Sequence, residues 1–242
     1  MSKLIALRNE MKKCASPVRA KSSARFFKTG PGEYAEGDQF MGIAMPDVRK
    51  VVVRFRDLDR VAVLELLHSP WHEERMAALL ILVDQYKRGD AKQRKAIYTL
   101  YLKNTNYINN WDLIDLTAGH IVGAEIVDGG ADEDILLKLV RSRSVWDRRI
   151  AMLATFYPIY NGDAKLALTV AEFLVDDSHD LIHKAVGWML REVGKRCSVK
   201  EEEAFLDLHA ATMPRTMLRY ALEHFPSARR EYYMGMKIVR GR

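Results

Sequence analysis

The segments SPWHEERMAALL, at residues 69–80, and SVWDRRIAMLA, at residues 144–154, decide the fold. In the first segment and its continuation, large apolar side chains recur every three or four residues, at Met76, Leu79, Leu80 and Val83. This spacing places them on one face of an α-helix. Both segments therefore predict an amphipathic helix that begins near a serine.

Local signals mark where helices begin and where the chain turns. Ser69–Pro70 predicts a helix start, with serine as the N-cap and proline in the first turn. Ser144 predicts another, and Asp147 three residues later completes a pattern like a capping box. The one long interruption, residues 29–45, predicts an ordered loop with turns at Gly30–Pro31–Gly32.

Helical spacing fills almost the whole chain, and no alternation of polar and apolar residues persists long enough for a sheet. Gly and Pro number only 14 and 7 among 242 residues, below their usual combined share of roughly 12%. The sequence therefore predicts an all-α protein. Besides the helix at 71–88, we expect helices at about residues 2–14, 46–56, 60–68, 91–103, 109–127, 132–142, 145–160, 164–176, 179–196, 201–210, 214–224 and 227–236.

The predicted helices contain an internal repeat. Arg75 and Arg149, each followed by an apolar residue and alanine, lie 74 residues apart, and Lys184 and Arg219 follow at steps of 35. Helix pairs that repeat every 35–37 residues indicate a HEAT-like or armadillo-type α-solenoid of stacked antiparallel pairs. We expect one such domain over residues 1–242. Its concave face would carry the repeated cations as a basic track.

Charge is concentrated at the N-terminus. The chain carries a formal net charge of +6, and residues 1–28 hold eight Lys or Arg side chains but one acid, Glu10. A basic helical segment of this kind favours an anionic partner such as DNA or RNA. An organelle transit peptide and a merely solvated first helix remain alternatives. Two cysteines exclude a disulfide framework and a four-cysteine zinc site.

The third repeat departs from the basic pattern. There, in NNWDLID, Asp112 and Asp115 stand where a cation is expected, and Trp111 lies one helical turn before Asp115. Trp188 follows Lys184 by one turn on the predicted basic face.

This combination suggests a chemistry. Indole faces attract cations, basic residues hold phosphates, and a carboxylate stabilises an oxocarbenium-like sugar. Cleavage of the N-glycosidic bond of a nucleotide with a cationic base fits this set, because such a base departs without a general acid. As alternatives, both tryptophans could be core residues, Asp112 could favour the helix dipole, and Arg75 could be an exposed arginine paired with Glu73 or Glu74.

The same residues resemble a known family. NNWDLIDLTA, SVWDRRIAMLAT, LIHKAVGWMLREVGK and MPRTMLRYALEHFP are similar to motifs of the AlkD family of DNA alkylation-repair glycosylases, from about Gly37 to Tyr232. The resemblance implies a HEAT-like fold and removal of N3- and N7-alkylated purines from DNA without a metal. It also implies that the lesion is probed through the DNA backbone, without a base pocket.

The resemblance assigns roles residue by residue. The catalytic aspartate of the family matches Asp115, its two lesion-flanking tryptophans match Trp111 and Trp188, and its backbone-contacting arginine matches Arg149, with Arg148 as second choice. Paralogues that bind DNA without excision lack these residues, whereas all are present here. We further expect Arg75, Arg148, Lys184 and Arg219 to contact the DNA backbone.

The sequence thus predicts a monofunctional DNA glycosylase for cationic alkylpurines, acting on double-stranded DNA in base excision repair. A non-catalytic HEAT-like protein that binds unusual or damaged DNA is the alternative, and a protein–protein scaffold is a third possibility. We expect no cofactor, no metal and no membrane partner. We also expect a monomer in a bacterial-type cytoplasm, associated with the nucleoid through DNA.

Overall fold

The computed structural model of the chain describes residues 2–236. These residues form helices and no strand, apart from one isolated backbone bridge between Gln39 and Trp71. The chain folds into two compact units, Met1–Thr117 and Ala118–Arg242. The single domain predicted for residues 1–242 stays a prediction, and its residue 1 and residues 237–242 lie outside the described part.

The first unit contains seven α-helices in its described residues. They are α1 (Lys3–Lys13), α2 (Pro17–Phe26), α3 (Met45–Phe55), α4 (Arg60–Leu67), α5 (His72–Arg88), α6 (Ala91–Lys103) and α7 (Trp111–Asp115). Side chains of Ser2, Ser16, Asp59 and Asp90 cap four of these helices by accepting a backbone N–H of the first turn. Helix α5 is the central one, because almost every residue from His72 to Val83 is buried against α3, α4 and α6.

The N-terminal helices differ sharply in burial. Helix α1 packs on α3 through Leu4, Leu7 and Met11. Helix α2, in contrast, contains no buried residue, and its Val18 and Phe26 are 78% and 65% exposed. The predicted basic N-terminal segment is therefore ordered and helical, with its second helix lying on the surface of this unit.

The ordered loop predicted at residues 29–45 lies between α2 and α3. The buried Glu73 carboxylate accepts the backbone N–H groups of Met41, Gly42 and Ile43, at 2.8–3.1 Å. Gly42 has φ +73°, and a Cβ there would lie 2.2 Å from the Ser16 carbonyl oxygen. The loop is thus fixed by one buried carboxylate and by close contact with the start of α2.

The second unit contains nine α-helices in its described residues. They are α8 (Ala124–Val127), α9 (Asp134–Val140), α10 (Val145–Ala154), α11 (Phe156–Tyr160), α12 (Lys165–Leu174), α13 (Asp180–Arg196), α14 (Val199–His209), α15 (Arg215–Ala221) and α16 (Ser227–Gly235). Helix α13 packs against α10, α12, α14 and α15. Its buried face includes Ile182, Val186, Met189, Leu190 and Val193.

Two long helices of the prediction are shorter in the structure. In the stretch 109–127 the α-helix ends at Asp115, and a π-helical segment follows at Gly119–Gly123. Between them, the Thr117 hydroxyl donates to the Leu113 carbonyl. The stretch 145–160 breaks at Thr155, and Pro158 lies in the short helix that follows. Proline lacks an N–H and its ring collides with the carbonyl four residues earlier, so a continuous helix is disfavoured there.

The capping predictions are confirmed in part. Ser144 caps α10 and accepts the Asp147 N–H, but the Asp147 carboxylate binds the Ser142 hydroxyl instead of closing a capping box. Ser69 does not cap α5. Its hydroxyl accepts the N–H of Trp71, and Trp71 is the cap residue.

The prediction of an all-α fold is confirmed across residues 2–236. Each unit consists of consecutive helices, as in an α-solenoid of helix pairs, and the first unit also contains the long loop between α2 and α3. The predicted concave basic face stays a prediction. No helix among the described residues is both long and apolar enough to cross a bilayer.

Candidate functional site

Trp111 and Asp115 lie one turn apart on α7, as predicted. The side-chain oxygen of Asn110 accepts the Trp111 backbone N–H at 2.8 Å and thereby fixes the start of this five-residue helix. Trp111 and Asp115 are both half-buried. Burial, with a contribution from the charge of Asp115, raises the pKa of the enclosed Tyr101 hydroxyl. The carboxylate of Asp115 therefore lies at the boundary between the core and solvent.

The indole of Trp111 is held by residues that sequence reasoning did not single out. Its Nε1 donates to the Tyr34 hydroxyl at 3.3 Å. The Phe27 ring stacks on it with centroids 5.3 Å apart, and the Phe26 ring meets it edge-on at 6.0 Å. The sequence signal that could have indicated these contacts is the pair of adjacent phenylalanines at the end of the basic N-terminal segment. These contacts fix the orientation of the indole before any ligand binds.

Arg75 is not on the surface, which corrects the predicted phosphate contact. The residue is 4% exposed, and its Nη2 lies 2.7 Å from an Asp38 carboxylate oxygen. Its Nη1 donates to the carbonyl oxygens of Ser69 and Pro70. The alternative of an exposed pair with Glu73 or Glu74 is wrong for the same reason. Glu73 binds the loop at residues 41–43, and Glu74 binds Arg8.

The helix caps also correct the repeat alignment. Arg75, Arg148 and His183 each lie four residues after the cap of their helix, and each contacts the backbone carbonyl two residues before that cap. The acceptor carbonyls belong to Ser69, Ser142 and Asp177. Arg75 is thus equivalent to Arg148, not to Arg149, and this position anchors the turn that enters each helix.

The next position along the helices carries the predicted cations. Asp115, Arg149, Lys184 and Arg219 each lie five residues after the cap of α7, α10, α13 and α15. The caps therefore align Asp115, and not Asp112, with the three basic residues. The predicted replacement of a cation by a carboxylate in the third repeat holds for this position.

The side chains of Arg149 and Arg148 both contact other residues of the second unit. Arg149 is 4% exposed, and its Nη1 donates to the Leu181 carbonyl in α13. The side chain of Arg148 is 17% exposed, and its Nε lies 2.6 Å from an Asp177 carboxylate oxygen. The roles predicted for these two arginines stay predictions, now attached to guanidinium groups that already have protein partners.

Lys184 and Arg219 present their charges to solvent. The Lys184 side chain is 39% exposed and lies 2.7 Å from an Asp180 carboxylate oxygen one turn away. Arg219 is exposed, and its Nη2 reaches the Thr216 hydroxyl only at 3.5 Å. Of the four predicted backbone contacts, these two have the most accessible side chains.

Trp188 lies on α13, one turn after Lys184, and is half-buried. The Phe156 ring lies 6.1 Å from its ring. The preceding residue, Gly187, permits close packing, since a Cβ there would lie 2.3 Å from the Met217 carbonyl oxygen in α15. Helix α13 thus brings Trp188 and Lys184 together within this unit and binds α15 tightly beside them.

His179 and His183, which lie four residues apart at the start of α13, have structural roles. His179 caps the helix and accepts the Leu181 N–H on Nδ1 at 3.1 Å. His183 contacts the Asp177 carbonyl through Nε2. Within residues 2–236, no group of three His, Cys, Asp or Glu side chains could hold a metal ion.

One comparison with known proteins assigns a family, and a second supports the fold. The family model described as DNA alkylation repair enzyme matches residues 7–225. A solved structure described as a predicted DNA alkylation repair enzyme from Enterococcus faecalis is similar, with a TM-score of 0.67 over 88% of this chain and 97% of that chain. At 14% sequence identity this likeness shows the fold alone. No curated protein sequence matches. Because the family model spans nearly the whole sequence, the chain belongs to the DNA alkylation repair enzyme family.

Proposed function

We propose that this protein is a DNA glycosylase that hydrolyses the N-glycosidic bond of cationic N3- and N7-alkylated purines in double-stranded DNA. The observation that carries the proposal is the pair on α7. A tryptophan already fixed by Tyr34 and Phe27 lies one turn from the half-buried carboxylate of Asp115. Membership of the DNA alkylation repair family supports DNA as the partner.

In the proposed reaction, the bond between C1′ and the purine nitrogen breaks, and its electron pair neutralises the cationic base. The sugar becomes an oxocarbenium ion, which the negative charge of Asp115 stabilises. Water then adds to C1′ and releases one proton, with Asp115 orienting the water. The products are a free base and an abasic site. We assign no amine nucleophile, so the DNA strand stays intact.

Trp111 and Trp188 are proposed to attract the damaged nucleotide through their ring faces, at about 0.5–2 kcal/mol for each cation–π contact. Lys184 and Arg219 are proposed to bind phosphates, because their side chains are accessible. Arg149 and Arg148 are proposed as further contacts that depend on their fixed positions beside α13 and Asp177.

The test of the proposal is Asp115→Asn, assayed on methylated duplex DNA. The amide is nearly isosteric but uncharged, so we expect normal folding, normal DNA binding and a loss of about 100-fold or more in the single-turnover release of 7-methylguanine. Asp57→Asn is the matched control, because Asp57 is exposed and paired with Arg88 in the same unit. Excision by Asp115→Asn at the wild-type rate would exclude Asp115 as the catalytic carboxylate.

A second measurement on the same reaction tests whether the protein cleaves only the N-glycosidic bond and leaves the DNA strand intact. The product strand should stay intact until it is heated in alkali, which cleaves at the abasic site. Binding of methylated DNA without any released base would instead favour the non-catalytic alternative.

A further inference from the structure

Three rings connect the core of the first unit to Trp111. Phe27 stacks on Trp111 at 5.3 Å and also on Phe40, with centroids 5.1 Å apart and planes 11° apart. Phe40 in turn stacks on the His72 imidazole at 4.6 Å. His72 thus lies at the buried end of a stack whose other end is the candidate substrate-binding indole.

His72 also lies between two carboxylates. Its side chain is 4% exposed, its Nε2 is 2.8 Å from an Asp112 oxygen, and its Nδ1 is 3.5 Å from an Asp38 oxygen. Asp112 directly follows Trp111 on α7, whereas Asp38 belongs to the loop between α2 and α3. Arg75, one turn further along α5, binds the other Asp38 oxygen. Asp38, Asp112 and Arg75 are the charged groups that face the imidazole.

We propose that His72 is a positioning residue for Trp111, joining the loop carboxylate of Asp38 to Asp112 of α7 and holding Phe27, which directly follows α2, against the indole. The proposal rests on the proposed function in one respect, that Trp111 contacts the damaged nucleotide. The imidazole does not touch the reacting atoms. It acts through Phe40 and Phe27 on one side and through Asp112 on the other.

The contacts of His72 with Asp38 and Asp112 are strongest when the imidazole carries a positive charge. Burial by itself lowers the pKa of His72, and Arg75 acts in the same direction, but the contacts with Asp112 and Asp38 outweigh both and raise it to about 8. A histidine in an unfolded chain has a pKa near 6.5. The stabilisation is therefore fully present below about pH 6.5 and is lost as the pH rises through about 8. Both carboxylates then lose their cationic partner at His72.

The test follows the Trp111 indole N–H by NMR, with its signal assigned by its disappearance in Trp111→Phe. In the wild type without DNA, we expect this resonance to shift with a midpoint near pH 8. In His72→Gln the shift near pH 8 should be absent. His68→Gln is the matched control, because His68, at the end of α4, is exposed and its ring contacts Asn104 and Tyr107. It should titrate like the wild type.

Asp112→Asn keeps an acceptor oxygen for His72 but removes the charge, so it tests the same link if His72→Gln fails to fold. We expect its midpoint to fall by about 1–3 pH units. A wild-type signal that is flat between pH 6 and 9, a midpoint that persists near 8 in His72→Gln, or an unchanged midpoint in Asp112→Asn would overturn the proposal. The readout needs neither DNA nor excision, so its failure would leave the glycosylase proposal standing, and a missing excision would leave the titration standing.

Discussion

At the scale of single residues, two adjacent positions have different roles: the fourth and the fifth residue after the caps of the aligned helices. Four residues after the cap, Arg75, Arg148 and His183 turn back and bind the carbonyl at the entrance of their own helix. Five residues after the cap, Asp115, Lys184 and Arg219 are half-buried or exposed, whereas Arg149 is buried and bonded to the Leu181 carbonyl. A shift of one residue in the alignment therefore exchanges residues that anchor the entrance of a helix for residues that are proposed to act on DNA.

This distinction predicts opposite effects for two arginines. Arg75→Met should lower the free energy of unfolding by about 3–5 kcal/mol, because it leaves the buried Asp38 carboxylate without its guanidinium. It should leave the salt dependence of DNA affinity unchanged. Arg219→Ala should barely affect stability, but it should reduce the slope of log affinity against log salt by about one.

Urea unfolding and DNA titrations at several salt concentrations check both variants. A stable Arg75→Met protein with a reduced salt slope would return Arg75 to the phosphate contacts and would contradict the structural role. An unchanged slope in Arg219→Ala would remove Arg219 from the proposed DNA surface.

At the scale of elements, helix α2 depends on the loop that follows it. The helix buries no residue of its own, yet its last residue, Phe26, and the next residue, Phe27, contact Trp111. The loop approaches its first turn at Gly42, where a side chain would collide with the Ser16 carbonyl. The placement of α2 thus comes from backbone contact with the loop rather than from an apolar face.

Two glycines of the loop test this placement. Gly32 and Gly42 both have positive φ, +75° and +73°, so an alanine costs about 1–2 kcal/mol of backbone strain at either position. Only at Gly42 does the added Cβ also meet backbone atoms, whereas at Gly32 nothing lies within 4 Å. Gly42→Ala should therefore lose clearly more unfolding free energy than Gly32→Ala. Equal losses in urea denaturation would mean that the loop does not hold α2.

The elements also show what the sequence could and could not predict. Helix periodicity is local, so most of the long helices, such as α5 and α13, were predictable within a few residues. The end of the short α7 was not, because the contacts around it are not local: the Thr117 hydroxyl beyond it bonds to Tyr101, which lies 16 residues away. The burial of Arg75 was hidden for the same reason, since its partner Asp38 lies 37 residues earlier in a loop.

The candidate site likewise contains residues that the sequence could place together and residues that it could not. Trp111 and Asp115 could be placed together from the sequence, because residues four apart share a helix face. The sequence could not place three further residues at the site, namely Tyr34, Phe27 and His72. Their contacts with α7 span 40–84 residues, and such distant contacts produce no periodic pattern in the sequence.

At the scale of the whole molecule, charge is the property that connects sequence to function. The basic surplus of residues 1–28 is ordered on α1 and α2, and most of its Lys and Arg side chains are exposed. A basic surface binds phosphate without reading the base sequence. Discrimination between damaged and normal DNA must then come from the lesion itself. In the proposed site, the positive charge of the lesion both attracts the indoles and makes the base a good leaving group.

The most direct measurement is single-turnover excision by the wild-type protein from a panel of duplexes with one lesion each. The account predicts release of 7-methylguanine and 3-methyladenine, which are cationic, and no release of uracil or hypoxanthine, which are neutral and depart poorly without protonation. Efficient release of uracil or hypoxanthine, with the cationic methylpurines left in place, would contradict it.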